Sequence, residues 1–215
     1  MFPLNAVLYP GVTLPLRVFE DRYRALIHHL LRIEDPAQRL FGSVAIREGY
    51  EVGDHGAQSL FRVGVRLQLS EVEAHDDGTF DIVAVGRDRI QLDQLHRGDT
   101  FPLGEVTVLH EDTSPVPTDV VEQARAVFAA YRTVLRQVAG DPLEGELPDD
   151  PLFLSWTLAA VSPLPLAERQ ELLAASDATE RLLLVTDLLR SELRTMNIIT
   201  SLPASEVART RWSPN

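Results

Sequence analysis

Phe2-Pro3-Leu4-Asn5-Ala6-Val7-Leu8-Tyr9-Pro10-Gly11, continued by Leu14-Pro15-Leu16-Arg17-Val18-Phe19-Glu20-Asp21-Arg22-Tyr23, opens the chain and sets its architecture. Pro3, Pro10 and Pro15 each fix φ, and Gly11 can take φ values closed to other residues. The stretch therefore reads as strand, turn and strand rather than helix. Helical spacing begins only at its end. Phe19, Tyr23, Leu26, Ile27, Leu30 and Leu31 recur on one face, and the pattern stops before Pro36.

From there to residue 115, short runs of Val, Ile, Leu and Phe are separated by Gly, Pro and Asp, which predicts strands at 41–47, 61–72, 80–85, 89–95 and 104–110. Val63, Val65, Leu67 and Leu69 alternate with polar or small residues until Val72 breaks the period, so a bulge is expected near Ser70-Glu71. Asp76-Asp77-Gly78 then predicts a tight hairpin, with the Asp-Gly pair supplying positive φ angles. The period changes to 3.6 after Thr113-Ser114-Pro115-Val116-Pro117. Helices are expected from 118 to 138, from the cap-and-proline start Asp150-Pro151 to Ser162-Pro163, over 166–175, and from Asp177 to Arg194. The expected organisation is α+β, with a β subdomain over 1–115, a helical bundle over 118–194 and a tail over 195–215.

Composition narrows the chemistry. The 215 residues carry no cysteine, and all 20 basic residues are Arg, so disulfides, thiol nucleophiles, Schiff bases, Ser-Lys dyads and Walker-type ATP sites are excluded within this sequence. A net charge of −12 opposes generic binding to a phosphate backbone. No apolar run approaches the ~20 residues of a membrane span, and the start lacks the basic and apolar regions of a signal peptide, so the cytoplasm is the expected address. His28 and His29 are adjacent and cannot chelate one metal from a helix; His75-Asp76-Asp77 is read as a turn. No metal or cofactor is expected.

The quoted opening resembles the start of the Lon protease N-terminal, substrate-binding domain family. Phe41-Gly42, Arg47-Glu48-Gly49 with Glu51-Val52-Gly53, Val63-Gly64, the step Gly86-x-x-Arg89, Leu164-Pro165-Leu166, Gln170, Leu172-Leu173, Asp177 and Arg181-Leu182 recur in that family's order. The resemblance extends over about residues 1–193, with Val65 where the family often has Thr and Ile90 where it often has Phe. It implies a β-rich, PUA-like pseudo-barrel followed by a helical bundle, and a non-enzymatic module that binds unfolded or peptide segments of proteins. In the family a downstream ATPase and a Ser-Lys protease do the work. This sequence ends before either, which suggests an adaptor delivering clients to a separate ATP-dependent protease, and a peptidase label would not fit.

Within the signature, Phe2, Pro3, Leu4, Pro10, Gly11, Pro15, Phe19, Glu20, Arg22, Tyr23, Gly86 and Arg89 are read as mainly structural. Three loop-edge aromatics, Tyr9, Tyr50 and Phe61, are the candidates for peptide contact. Two other classes stay open. RNA or nucleotide binding through the barrel would need an Arg-lined groove, and hydrolysis by paired carboxylates such as Glu71 and Glu73 would need a deep pocket.

Overall fold

A computed structural model describes residues 1–48, 59–96, 98–138, 141–143 and 145–200. Its strands are β1 (Thr13–Val18), β2 (Leu40–Glu48), β3 (Ser59–Ala74), β4 (Phe80–His96) and β5 (Leu103–Leu109). Its helices are α1 (Asp21–Leu31), α2 (Thr118–Val138), α3 (Pro151–Val161), α4 (Leu166–Ala174) and α5 (Ala178–Thr200). The strands form one antiparallel sheet in the order β1-β4-β3-β2, with β5 also on β4. Strands first and helices after is the α+β arrangement that the change of period implied.

The two strands expected at 80–85 and 89–95 are one. β4 runs unbroken through Gly86-Arg87-Asp88, pairing with β1 through 80–85 and with β5 through 89–96 along the same edge. The opening turn fills the gap between those partners. The Gly86 amide donates to the Val12 carbonyl at 2.9 Å, and the Gly86 carbonyl accepts from the Gly11 amide at 3.0 Å. A Cβ on Gly86 would stand 2.2 Å from the Tyr9 carbonyl oxygen, so only glycine lets the two backbones come this close. Gly11, at φ +80°, turns the chain into β1.

The same hydrogen bonds set the register of β1. With Val12 and Gly86 bonded, the antiparallel ladder puts Leu14, Leu16 and Val18 in bonded pairs, while the backbone groups of Thr13, Pro15 and Arg17 point away from β4. Pro15 thus lacks its N–H where the ladder asks for none. The inward side chains are Leu14, Leu16 and Val18; Thr13, Pro15 and Arg17 are exposed.

The bulge expected near Ser70-Glu71 is present as a register shift between Leu69 and Glu71. It keeps Val72 facing inward and turns Glu71 and Glu73 to the exposed face. The hairpin is built differently from the expectation. Only Gly78 has positive φ (+77°), and the Gly78 amide donates to the His75 carbonyl at 2.9 Å, which gives an ordinary turn closed by a glycine. Asp77 supports it by accepting from the Thr79 amide and hydroxyl at 3.0 and 2.7 Å.

The chain divides into two compact units, Met1–Thr113 with Pro163–Asp177, and Ser114–Ser162 with Ala178 onward. The first includes α4, which the sequence reading had placed in the bundle. α4 is held there by polar latches rather than by its own periodicity. The Gln170 amide donates to the Val63 carbonyl at 2.9 Å. The Tyr9 hydroxyl donates to the Arg169 carbonyl at 2.9 Å, and Arg169 donates to the Val7 carbonyl at 3.1 Å. Arg89, buried on β4, donates to the carbonyls of Leu173 (3.1 Å), Ala175 (2.5 Å) and Ser176 (3.3 Å) and ion-pairs with Glu111. Those carbonyls lie at the C-terminal end of α4, where helical backbone lacks its own donors and favours a cation.

In the second unit α2 and α3 pack on α5. Asp150 caps α3, accepting from the Leu152 and Phe153 amides at 2.9 and 3.0 Å ahead of Pro151. The fully buried Arg181 lies with its guanidinium carbon 3.2 Å from the centroid of the Trp156 ring and donates to Ser155 Oγ at 2.9 Å. α5 continues to Thr200, past the Arg194 at which the tail was expected to begin. Among the described residues no helix is long and apolar enough to cross a membrane.

Candidate functional site: an apolar cleft at the edge of the sheet

The segment before β1 returns to the other end of the sheet. Leu4 bridges Ala45 of β2 in parallel, the Phe2 amide donates to the Gly42 carbonyl at 2.8 Å, and the Ile46 amide donates to the Leu4 carbonyl at 2.9 Å. Phe2 and Leu4 thereby face the end of β1 across a cleft of about 210 Å³, whose far wall is Leu16 to Glu20 and whose floor includes Tyr23. The sheet has curled until its two edges look at each other without pairing. Phe2 and Tyr23 stack at 4.0 Å with an interplanar angle of 13° and are 5% and 3% exposed, so together they form the packed aromatic base of the cleft.

Phe19 stands at the mouth, 54% exposed. The helical spacing assigned it to the buried stripe of α1, but the helix begins at Asp21, after the Glu20 N-cap, and Phe19 lies between the end of β1 and that cap. A large aromatic is thus left in water beside an apolar cleft. The rim is charged: Glu20 pairs with Arg22 at 3.0 Å, and Arg17 reaches Asp77 and Asp81 at 3.9 Å each.

The three aromatics read as peptide contacts fare differently. Tyr9 is 1% exposed and its hydroxyl donates to α4, so it is a packing residue. Phe61 lies half-buried inside β3 rather than ahead of it. Tyr50 lies outside the described residues. The signature positions divide as well. Pro3, Pro10, Gly11, Gly86 and Arg89 shape backbone or latch α4, whereas Phe2, Leu4, Phe19, Glu20 and Tyr23 line the cleft together. Their spacing in sequence gave no sign of this, because Phe2 meets Tyr23 only once the edges approach.

A second, larger groove of about 380 Å³ adjoins the cleft on the exposed face of β1, β4 and β3. Leu16 and Arg17 line both. It presents Glu71, Glu73 and Asp81 against Arg17 alone, the reverse of the Arg-lined groove that RNA binding requires. Glu71 and Glu73 are exposed on it, without the burial that tunes carboxylates for acid-base chemistry. Asp77, 3.9 Å from Arg17, has its carboxyl held below the usual range by the Thr79 hydroxyl and amide, with Arg17 adding to the effect. No group of three or more His, Asp or Glu among the described residues is placed to hold a metal ion.

Residues 1–191 match the family described as the ATP-dependent protease La (LON) substrate-binding domain. Lon protease 2 of Herpetosiphon aurantiacus is 25% identical over 205 residues, covering 91% of this chain and 24% of that protein. The Lon protease of Escherichia coli K12 is 26% identical over 200 residues, covering 90% and 24%. The chain thus spans about a quarter of the length of the relatives it matches. In fold it is similar to a Lon N-terminal domain protein from Xanthomonas campestris (TM-score 0.61, 24% identity, 84% of this chain and 92% of that one). It is also similar to the N-terminal domain of a Mycobacterium avium complex Lon protease (TM-score 0.58, 23% identity, 87% and 96%). The match over nearly the whole described chain makes this protein a member of the Lon substrate-binding domain family.

Proposed function

We propose that this domain binds exposed apolar segments of unfolded proteins in the cleft beneath Phe19 and presents them to an ATP-dependent protease, taking no chemical step itself. The observation that carries the reading is the exposure of Phe19 beside the stacked Phe2 and Tyr23. Burying one phenylalanine-sized contact contributes roughly 1.5–3 kcal/mol, about a 10- to 100-fold share of the affinity, and the rest of the cleft supplies the remainder. The bulk of the family signature serves to bring these aromatics together from two edges of the sheet.

The test is binding of a permanently unfolded, reduced and carboxymethylated protein, followed by fluorescence anisotropy. Phe19→Ser is expected to weaken binding about 10- to 100-fold without lowering thermal stability, because the side chain is exposed in the folded state. Unchanged affinity in that variant would overturn the assignment of the cleft.

A further inference from the structure

The edge of β1 that faces away from β4 pairs with no described strand, and its residues line a depression on each face of the sheet. Leu16 and Val18 border the apolar cleft, while Pro15 and Arg17 border the acidic groove. Between the two, the register leaves the N–H and C=O of Thr13, the C=O of Pro15 and the N–H and C=O of Arg17 directed outward. An uncovered row of backbone donors and acceptors is a template for one more strand. We propose that the client segment binds as an added strand along β1, and that the preferred segment alternates apolar with basic residues. This proposal rests on the reading of the cleft as the client site and adds how the client lies in it.

The alternation follows from the side-chain period of two. A strand placed beside β1 sends successive side chains to opposite faces, so one set enters the cleft of Phe2, Phe19 and Tyr23 and the other lies over the groove. That groove carries an uncompensated negative charge. Arg17 is engaged with Asp77 and Asp81, and His75 Nε2 is 2.8 Å from Asp81. Glu73 sits directly across from Asp81 in the β3–β4 register, a like-charged pair that costs stability, and Glu71 lies two residues away on the same face. Neither glutamate has an ion-pair or hydrogen-bond partner among the described residues. A Lys or Arg from the client supplies the missing cation, whereas Asp or Glu is repelled. Pro15 removes one donor from the middle of the edge. That blunts pairing of β1 with another copy of itself but leaves Thr13 and Arg17 to hold a ligand strand at both ends.

The experiment uses the full 215-residue chain and four short labelled peptides: one alternating Leu with Lys, one alternating Leu with Glu, and two versions of the Leu-Lys peptide N-methylated on the backbone amides of one edge or of the other. Affinities are read by anisotropy at low salt. The Leu-Lys peptide is expected to bind at least about tenfold more tightly than Leu-Glu, and N-methylation of one edge only is expected to remove that binding. Glu71→Gln with Glu73→Gln, both exposed, is expected to erase most of the preference for Lys over Glu while leaving the fold intact. Slowed exchange of the Thr13 and Arg17 amides on peptide binding gives a readout independent of affinity. If Phe19→Ser weakens binding but N-methylation of either edge and the glutamate changes do not, strand addition is wrong and the cleft reading stands. If neither peptide nor unfolded protein binds, both readings fall.

Discussion

Replacing Arg89 by Met removes the latch between β4 and α4 while nearly preserving volume. Arg89 is 3% exposed and serves three carbonyls, those of Leu173, Ala175 and Ser176, besides the Glu111 carboxylate. Deleting one partner of a buried ion pair costs about 3–5 kcal/mol, because the groups left behind lose both charge partner and water. Glu111 retains 22% side-chain exposure and can rehydrate, which moves the expectation to the lower end, near 3 kcal/mol. The loss has a definite place. The carbonyls at the end of α4 lose their donors, so residues 163–177 should open before the sheet does. Urea unfolding followed by circular dichroism measures the total, and amide hydrogen exchange measures the local part. A loss below about 1 kcal/mol, or unchanged protection of 163–177, would refute the assignment of Arg89 as the element that ties α4 to the sheet. Glu111→Gln keeps the carbonyl contacts but leaves the buried Arg89 cation without its counter-charge, and should cost about 1–3 kcal/mol.

Tyr131 has a buried hydroxyl with no hydrogen-bond partner among the described residues, and burial, helped by the charge of Glu192, pushes its pKa up to about 12. Tyr131→Phe should therefore be neutral or stabilising by up to about 1 kcal/mol at pH 7. Because the folded state disfavours the phenolate, the parent's stability is whole below the unfolded tyrosine value near 10 and falls as pH rises from there toward 12; the variant's melting temperature should decline less over that window. Gly86→Ala places a methyl 2.2 Å from the Tyr9 carbonyl oxygen and should cost at least about 1–3 kcal/mol by displacing the opening turn, measured by thermal melting. Arg181→Met removes a fully buried cation from the face of Trp156 and from Ser155; a loss of about 2–4 kcal/mol is expected in a Trp212→Phe background, followed by Trp156 fluorescence.

Local chemistry was readable in the chain wherever one residue type has one use. Asp150-Pro151 announced the start of α3, the broken alternation after Leu69 announced the bulge, and the change of period after residue 113 announced the passage from sheet to helices. Periodicity misled where a residue's role is set by something distant. Phe19 matches the helical stripe of α1 yet lies one residue before the N-cap, and α4 has a bundle-like pattern yet its buried polar groups bind backbone far away in sequence. The Asp-Gly hairpin needed one positive φ, because Asp77 could support the turn through its side chain instead.

By itself the sequence determined which segments are strands and helices, excluded lysine and cysteine chemistry, and carried a signature strong enough to state the family, since these depend on local backbone preference and residue identity. Only the tertiary structure decided the site. Phe2 and Tyr23 become one surface, Leu16 and Arg17 come to border two depressions, and Glu73 comes to face Asp81, because the sheet curls and its register aligns positions that no spacing along the chain relates. Side-chain period tells which way a residue points, and only the packed fold tells what it points at.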